Sequence, residues 1–246
     1  MNIQLDILAF GVHPDDVELG CSGTILAAVA SGKKAGIVDL TQGELGTRGN
    51  AQTRTVEALA SAKLLGVEVR ENLKMADGFF MNDETNKLKI ITAIRKYRPQ
   101  IILCNAPSDR HPDHARSSKL VVEAAFLSGL IKIKTLENGA EQAAWRPTYV
   151  FHYIQDRYIQ PSFVIDISKH MQKKLEAILC YQSQFHNSNY NSNEPQTYIS
   201  SPQFLDGIKA RELMFGKQIG VDYAEGFISE KTIGFNNFDG FIKNVT

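Results

Sequence analysis

The chain has 246 residues, enough for one large α/β domain or two small ones. Hydrophobic residues make up 43% and charged residues 22%, an ordinary globular balance, and no run approaches the ~18 apolar residues of a membrane-spanning helix. Lys plus Arg and Asp plus Glu number 27 each, which argues against a nucleic acid or an anionic membrane held as partner by bulk charge.

The first half alternates strand-like and helix-like segments. Residues 5–12 form a near-continuous apolar run, the pattern of a strand buried on both faces. Residues 22–30 read as a helix of small and apolar residues with Gly32 as its stop signal, and residues 35–40 as a second strand. Residues 51–65 form a helix ended by Gly66, and residues 68–74 a weaker strand. Residues 85–97 form a helix with Leu88, Ile90, Ile91 and Ile94 clustered, stopped before Pro99. A strand at 100–104 and a helix at 115–127 complete this half.

The βαβα order predicts a Rossmann-like α/β fold: a mostly parallel sheet with helices on both faces. No repeat or composition break divides residues 1–246, so one domain is expected, with its core at 3–130 and a less regular part at 145–246. In that part, 148–154 and 163–167 read as strands and 168–184 as one long helix with Ser168 as N-cap. Residues 186–203 read as a polar loop, and 204–220 as a last helix.

Cys21, Cys104 and Cys180 are odd in number and form no CxxC pair, so no disulfide framework is expected. Met1 to Asp6 shows no basic region followed by an apolar one, as a signal peptide would. A cytoplasmic protein is the expectation.

Two clusters carry the chemistry. His13-Pro14-Asp15-Asp16 follows the first apolar run, and His111-Pro112-Asp113-His114 follows the run at 101–104. In an open α/β sheet, ligands bind just beyond the carboxyl ends of strands. Imidazole and carboxylate together suit a zinc-like ion, although iron or cobalt would also fit. A hydrolytic zinc site needs about three protein ligands and one open position. His13 and Asp16 are three apart in a turn containing Pro14, and His114 would supply the third ligand. That leaves Asp15 free to take a proton from water. His111 stands at a helix entrance, where it could stabilise an oxyanion, protonate a leaving amine, or both, with Asp113 or another carboxylate holding its ring. The same residues could instead be turns and helix caps in a metal-free binding module, or hold metals for phosphoester hydrolysis.

Phe10 to Gly23 resembles the opening motif of the LmbE-like, GlcNAc-phosphatidylinositol de-N-acetylase family, and His111 to His114 resembles its second motif. Thr41 to Gly49, Arg54, and Tyr181 to Phe185 resemble the subgroup that deacetylates N-acetylglucosaminyl-malate in bacillithiol synthesis. The resemblance implies a zinc-dependent N-deacetylase of a small N-acetylated amino-sugar conjugate, and a homo-oligomer. It matches His13, Asp16 and His114 to metal ligands, Asp15 to the general base, and His111 with Asp113 to the group that stabilises or protonates the intermediate. It matches Arg54 to substrate binding; Val12 replaces the more common Ala.

Arg48, in a Gly-flanked loop, and Arg54, early in the helix at 51–65, offer forks that could grip malate carboxylates. The alternative for Arg54 is a pairing with Glu57 or another acid on a solvated face. Neither GxGxxG nor GxxxxGK[ST] follows a strand here, which disfavours a nucleotide. The polar loop with Tyr190 and Tyr198 could close over substrate. Cys21 and Cys104 read as small buried hydrophobes, and His152, His170 and His186 as structural or surface residues.

Overall fold

The structure is a computed structural model and describes residues 3–185 and 194–238. The strands are β1 (Ile7–Gly11), β2 (Ala35–Thr41), β3 (Val69–Met75), β4 (Ile101–Asn105), β5 (Leu136–Glu137), β6 (Ala140–Glu141), β7 (Tyr149–Tyr153), β8 (Phe163–Asp166) and β9 (Ala224–Ser229). The α-helices are α1 (Asp16–Ala30), α2 (Ala51–Leu65), α3 (Glu84–Tyr97), α4 (Pro112–Leu127), α5 (Met171–Leu179) and α6 (Pro202–Ile219).

Seven strands form one sheet in the order β3-β2-β1-β4-β7-β9-β8, with β5 and β6 pairing as a separate hairpin. The first five run parallel, while β9 is antiparallel to both β7 and β8. This is the expected mostly parallel α/β sheet. The order reverses between β1 and β4, which opens a crevice at their carboxyl ends. Both His/Asp clusters emerge there.

Alternation along β1 divides the core. Leu8 and Phe10 pack with Val38 and Leu40 against Ile90 and Ile94 of α3 and Leu120 and Val121 of α4. Ile7 and Ala9 face the other way, onto Val17 and Ile25 of α1, Leu65 of α2 and Ala177 of α5. Burial on both faces explains why β1, β2 and β4 read as apolar runs rather than as alternating strands. No helix among the described residues is long and apolar enough to cross a membrane.

The helices follow local signals. Asn50 caps α2 by accepting from Thr53 N, and Gly66 ends it in the left-handed conformation. Asp83 caps α3 in the same way as Asn50 caps α2, accepting from Asn86 N. α1 begins earlier than its apolar stretch suggests, at Asp16, and is broken at Cys21 (φ −151°, ψ 16°). The break frees backbone groups that side chains from distant elements take up. Glu225 of β9 accepts from Gly23 N (2.9 Å) and Thr24 N (2.7 Å). Lys174 of α5 and Arg211 of α6 donate to Leu19 O (2.9 and 2.7 Å).

Two expectations for the less regular part need correction. The long helix at 168–184 is a single 3₁₀ turn at Ser168–His170, then α5, which ends at Leu179. Ser168 does not cap it; its hydroxyl bonds Asp166 Oδ1 at 2.7 Å. Residues 180–185 turn back instead, because Tyr181, Ser183 and Gln184 reach polar groups of α1 and α2. The strand β9 was not foreseen: its polar Glu225 interrupts the apolar pattern and serves the break in α1. Of the polar loop, residues 186–193, with His186 and Tyr190, lie outside the described residues.

Candidate active site

His13 and Asp15 lie in the turn between β1 and α1. Asp15 adopts φ 139°, ψ −22°, a region L-residues rarely occupy, so surrounding contacts must hold it there. Asp16 opens α1 and is nearly sealed from solvent. Its Oδ2 accepts from Val12 N, His13 N and Asn105 Nδ2 (3.0, 3.0 and 3.1 Å), and its Oδ1 from Gln155 Nε2 at 2.8 Å. Burial alone would raise this carboxyl, but the His114 and His13 rings and the His13 N–H hold it well below the usual range.

His13, Asp16 and His114 converge. His13 Nδ1 is 3.6 Å from Asp16 Oδ2, and His114 Nε2 is 3.2 Å from Asp16 Oδ1. The two rings approach different oxygens of the same Asp16 carboxylate. His111 joins the group: ligand nitrogens of His13, His111 and His114 lie within 4.8 Å of one another.

Both proposed histidine ligands are held on the far nitrogen by a carboxylate. Asp77 Oδ1 lies 3.0 Å from His13 Nε2, and Asp109 Oδ2 lies 2.6 Å from His114 Nδ1. Such partners fix which ring nitrogen faces a metal. Asp77 is itself fixed by Leu45 N (2.9 Å), and Asp109 by Arg157 N (2.9 Å). Burial lowers the His114 pKa, but Asp16 and Asp109 together carry it to about 10. Neither Asp77 nor Asp109 was singled out in the sequence. Both follow a strand's carboxyl end, as His13 does, and that placement was the available signal.

Asp15 points at no histidine. Its Oδ2 is 2.9 Å from Arg54 Nη2, and burial raises its pKa to about 7 despite that guanidinium. Arg54 is 4% exposed and also donates to Pro14 O and, at 3.3 Å, to Gln184 Oε1. A Cβ on Gly43 (φ 64°) would come within 2.8 Å of Arg54 Nη1, so this loop glycine keeps the guanidinium's place open. Arg54 thus pairs with neither Glu57 nor solvent. Glu57 accepts from Ser183 N and Oγ, both at 2.7 Å. The Tyr181–Phe185 segment therefore braces the helix that carries Arg54.

His111 is the N-cap of α4, and its Nδ1 accepts from Asp113 N at 3.3 Å. An accepting Nδ1 places the ring proton on Nε2, which leaves that atom as a donor. Burial and the two neighbouring histidines lower its pKa. The Asp113 carboxylate makes no hydrogen bond to this ring; its Oδ2 lies 3.8 Å from His13 Nε2, and His13, Asp77 and Asp113 form a second group whose ligand atoms lie within 4.8 Å of one another. The Asp113 carboxylate accepts from Gly78 N (2.9 Å) and Arg116 Nη1 (2.7 Å), because the first turn of α4 directs it towards the β3–α3 connection.

A cavity of about 460 Å³ covers these groups, lined by His13, Asp15, Asp16, His111 and His114 on its floor and by Arg48, Arg110 and Tyr198 higher up. Arg48 reaches this rim, as its loop position suggests, with Nε 3.7 Å from Glu194 Oε2. Arg110 lies over the Tyr198 ring (4.7 Å), and both bond Asp156. Cys21 and Cys104 are buried free thiols. His152 is buried too, between Cys104 Sγ (3.3 Å), Ser118 Oγ (3.0 Å) and Glu230 Oε1 (2.5 Å).

Known proteins share this sequence and fold. A family model described as GlcNAc-PI de-N-acetylase matches residues 8–125. The diacetylchitobiose deacetylase of Thermococcus kodakarensis is 30% identical over 231 residues, 89% of this chain and 81% of that one. A probable N-acetyl-alpha-D-glucosaminyl L-malate deacetylase 2 of Bacillus anthracis is 26% identical over 202 residues, 75% of this chain and 84% of its own. The crystal structure of a conserved protein from Thermus thermophilus superposes with a TM-score of 0.83 at 35% identity, covering 94% of this chain and 97% of that one.

Proposed function

The chain belongs to the GlcNAc-PI de-N-acetylase, or LmbE-like, family, and from that premise we propose that it is a metal-dependent N-deacetylase of an N-acetylglucosamine conjugate. Its deacetylase relatives indicate a hydrolase acting on an acetamide. The observation that carries the reading is the division of labour at α1. Asp16 meets His13 and His114, while its neighbour Asp15 pairs with Arg54 and lines the same cavity.

His13, Asp16 and His114 would hold the cation, zinc being the ion their nitrogen and oxygen atoms suit best. Bound there, it would polarise the acetyl carbonyl and lower the pKa of a water molecule. Asp15 would take a proton from the attacking water. Arg54 keeps the Asp15 carboxylate in place while it does so. His111 Nε2 donates to the carbonyl oxygen as negative charge develops on it. Asp15 then returns its proton to the departing amine, and glucosamine conjugate and acetate leave.

The group attached to the sugar is the finer question. N-acetylglucosaminyl-malate, the bacillithiol precursor, is one reading, supported by the Bacillus anthracis relative. Its two carboxylates would have to compete for arginines that already pair with acids: Arg48 with Glu194, Arg54 with Asp15 and Arg110 with Asp156. The test is acetate release by metal-loaded protein from N-acetylglucosamine, N,N′-diacetylchitobiose and N-acetylglucosaminyl-malate, before and after chelation. Acetate from at least one, abolished by chelator and restored by zinc, is expected. No acetate from any of the three, or release indifferent to chelator, overturns the reading.

A further inference from the structure

Residues 76–83 connect β3 to α3 and begin in a short turn closed by Phe79 N and Phe80 N, which both donate to Ala76 O (3.1 and 2.7 Å). The turn is fixed on every side. Asp77 N donates to Glu44 Oε1 (2.9 Å), Gly78 N to Asp113 Oδ2 (2.9 Å), and Arg116 Nη1 to Gly78 O (2.9 Å). Phe80 anchors it, 2% exposed among Ile90, Ile91 and other core residues.

Phe79 does none of this. The residue is 76% exposed, and its backbone alone serves the turn. Among the described residues no other ring or cation stacks on it, whereas the Tyr198 ring already carries Arg110. Leu45, 61% exposed, lies beside the preceding residue: its Cδ1 is 3.3 Å from where a Cβ on Gly78 would stand. Phe79 and Leu45 both line the cavity that holds His111 and Asp15, so the apolar shelf is continuous with the reacting centre. An apolar wall beside a few fixed polar groups is the usual build of a small-molecule site. A side chain carried on a fixed backbone turn gives up less freedom on binding than one on a loose loop.

We propose that Phe79, together with Leu45, is a stacking platform for a second pyranose ring, so that the preferred substrate is an N-acetylated disaccharide or oligosaccharide. The proposal rests on the deacetylase reading and extends it to the ring distal to the reacting acetamide. A pyranose presents a face of C–H groups, whose positive edges suit the negative face of an aromatic ring. A small dicarboxylate presents no such face.

Two measurements test it. In the first, kcat/KM is measured for N,N′-diacetylchitobiose and N-acetylglucosamine with wild type, Phe79→Ala and Phe79→Trp. Wild type favours the disaccharide. Phe79→Ala lowers kcat/KM on the disaccharide about five- to tenfold through KM, with a smaller change on the monosaccharide, and Phe79→Trp retains the preference. An equal loss on both substrates, or none, overturns the proposal. An equal loss accompanied by a lower molar mass in light scattering assigns the ring to a contact between copies of the chain instead.

The second measurement does not need turnover. Saturation-transfer NMR of N,N′-diacetylchitobiose is recorded on metal-loaded Asp15→Asn protein and on Asp15→Asn/Phe79→Ala. Saturation of the ring protons distal to the bound acetamide, lost in the double variant, supports the platform even if no acetate is released. Unchanged saturation overturns it even if hydrolysis is observed.

Discussion

Two buried charge assemblies occupy opposite ends of the first half of α1, and their contrast separates chemistry from architecture. At the break near Cys21, Lys174, Glu212 and Glu225 are at most 1% exposed, with Lys174 Nζ 2.6 Å from Glu225 and 3.0 Å from Glu212. Burial disfavours the Lys174 cation, but the two glutamates raise its pKa overall. This assembly satisfies the Gly23 and Thr24 N–H groups and the Leu19 carbonyl left open by the break. At the amino end, His13, Asp15 and Asp16 with His114 are nearly as buried but line a cavity. Their side chains meet one another across a possible cation position, and one residue is held in a rare backbone conformation. Burial and ion pairing are common to both. What distinguishes the amino end is access to a cavity and carboxylates that meet imidazole rings as well as backbone N–H groups.

The contrast breaks most sharply at the ligands. Asp16→Ala or His114→Ala should abolish tight metal binding and reduce acetate release to background, as metal analysis and turnover on the same preparation will register. Asp15→Asn should keep the metal and lose about 10²- to 10⁴-fold in kcat, the size of a general-base contribution. Metal lost from that variant would make Asp15 a ligand. Lys174→Met should do the opposite. It leaves buried Glu225 without a cation and Glu212 with Arg211 alone, and should cost about 3–5 kcal/mol of stability in denaturant unfolding, with the folded fraction still active. A stable but inactive Lys174→Met protein would erase the distinction between the two ends.

Smaller effects sharpen it. Asp109→Asn should weaken metal binding about 10- to 100-fold in chelator competition while leaving the ligands in place. His152, buried without a cavity, should behave as a structural group. Burial lowers its pKa, but Cys104, Asn105 O and Glu230 raise it to about 10, above the ordinary value of about 6.5. A raised pKa means that the stability it contributes is complete below about pH 6.5 and is lost as pH climbs through about 10. Unfolding midpoints of His152→Gln should therefore vary less with pH over that window than those of wild type. Parallel curves would show that His152 carries no such charge.

Much of the fold was legible because its strongest elements are locally redundant. β1, β2 and β4 are apolar runs buried on both faces, and α2 has a cap, a periodic face and a terminal glycine that agree with one another. β9 was hidden because Glu225 answers a break in a helix two hundred residues away. The helix at 168–184 was overextended because the residues that end it, Tyr181 to Phe185, are fixed by Glu18, Glu57 and Arg54 rather than by any local stop signal. At the site, the convergence of His13, Asp16 and His114 follows from two motifs at adjacent strand ends. Partner choice did not follow. Nothing local tells that Arg54 turns to Asp15, that Asp113 turns to Gly78, or that Asp77 and Asp109 hold the rings.

The proposed site holds one cation between His13, Asp16 and His114, with Asp15 beside it and not on it. Metal content per chain, measured on wild type, Asp15→Asn and His114→Ala purified without chelator and reloaded with zinc, tests it most directly. The account predicts about one tightly held ion in the first two and none in the third. Equal metal in all three, or none in wild type, would contradict it.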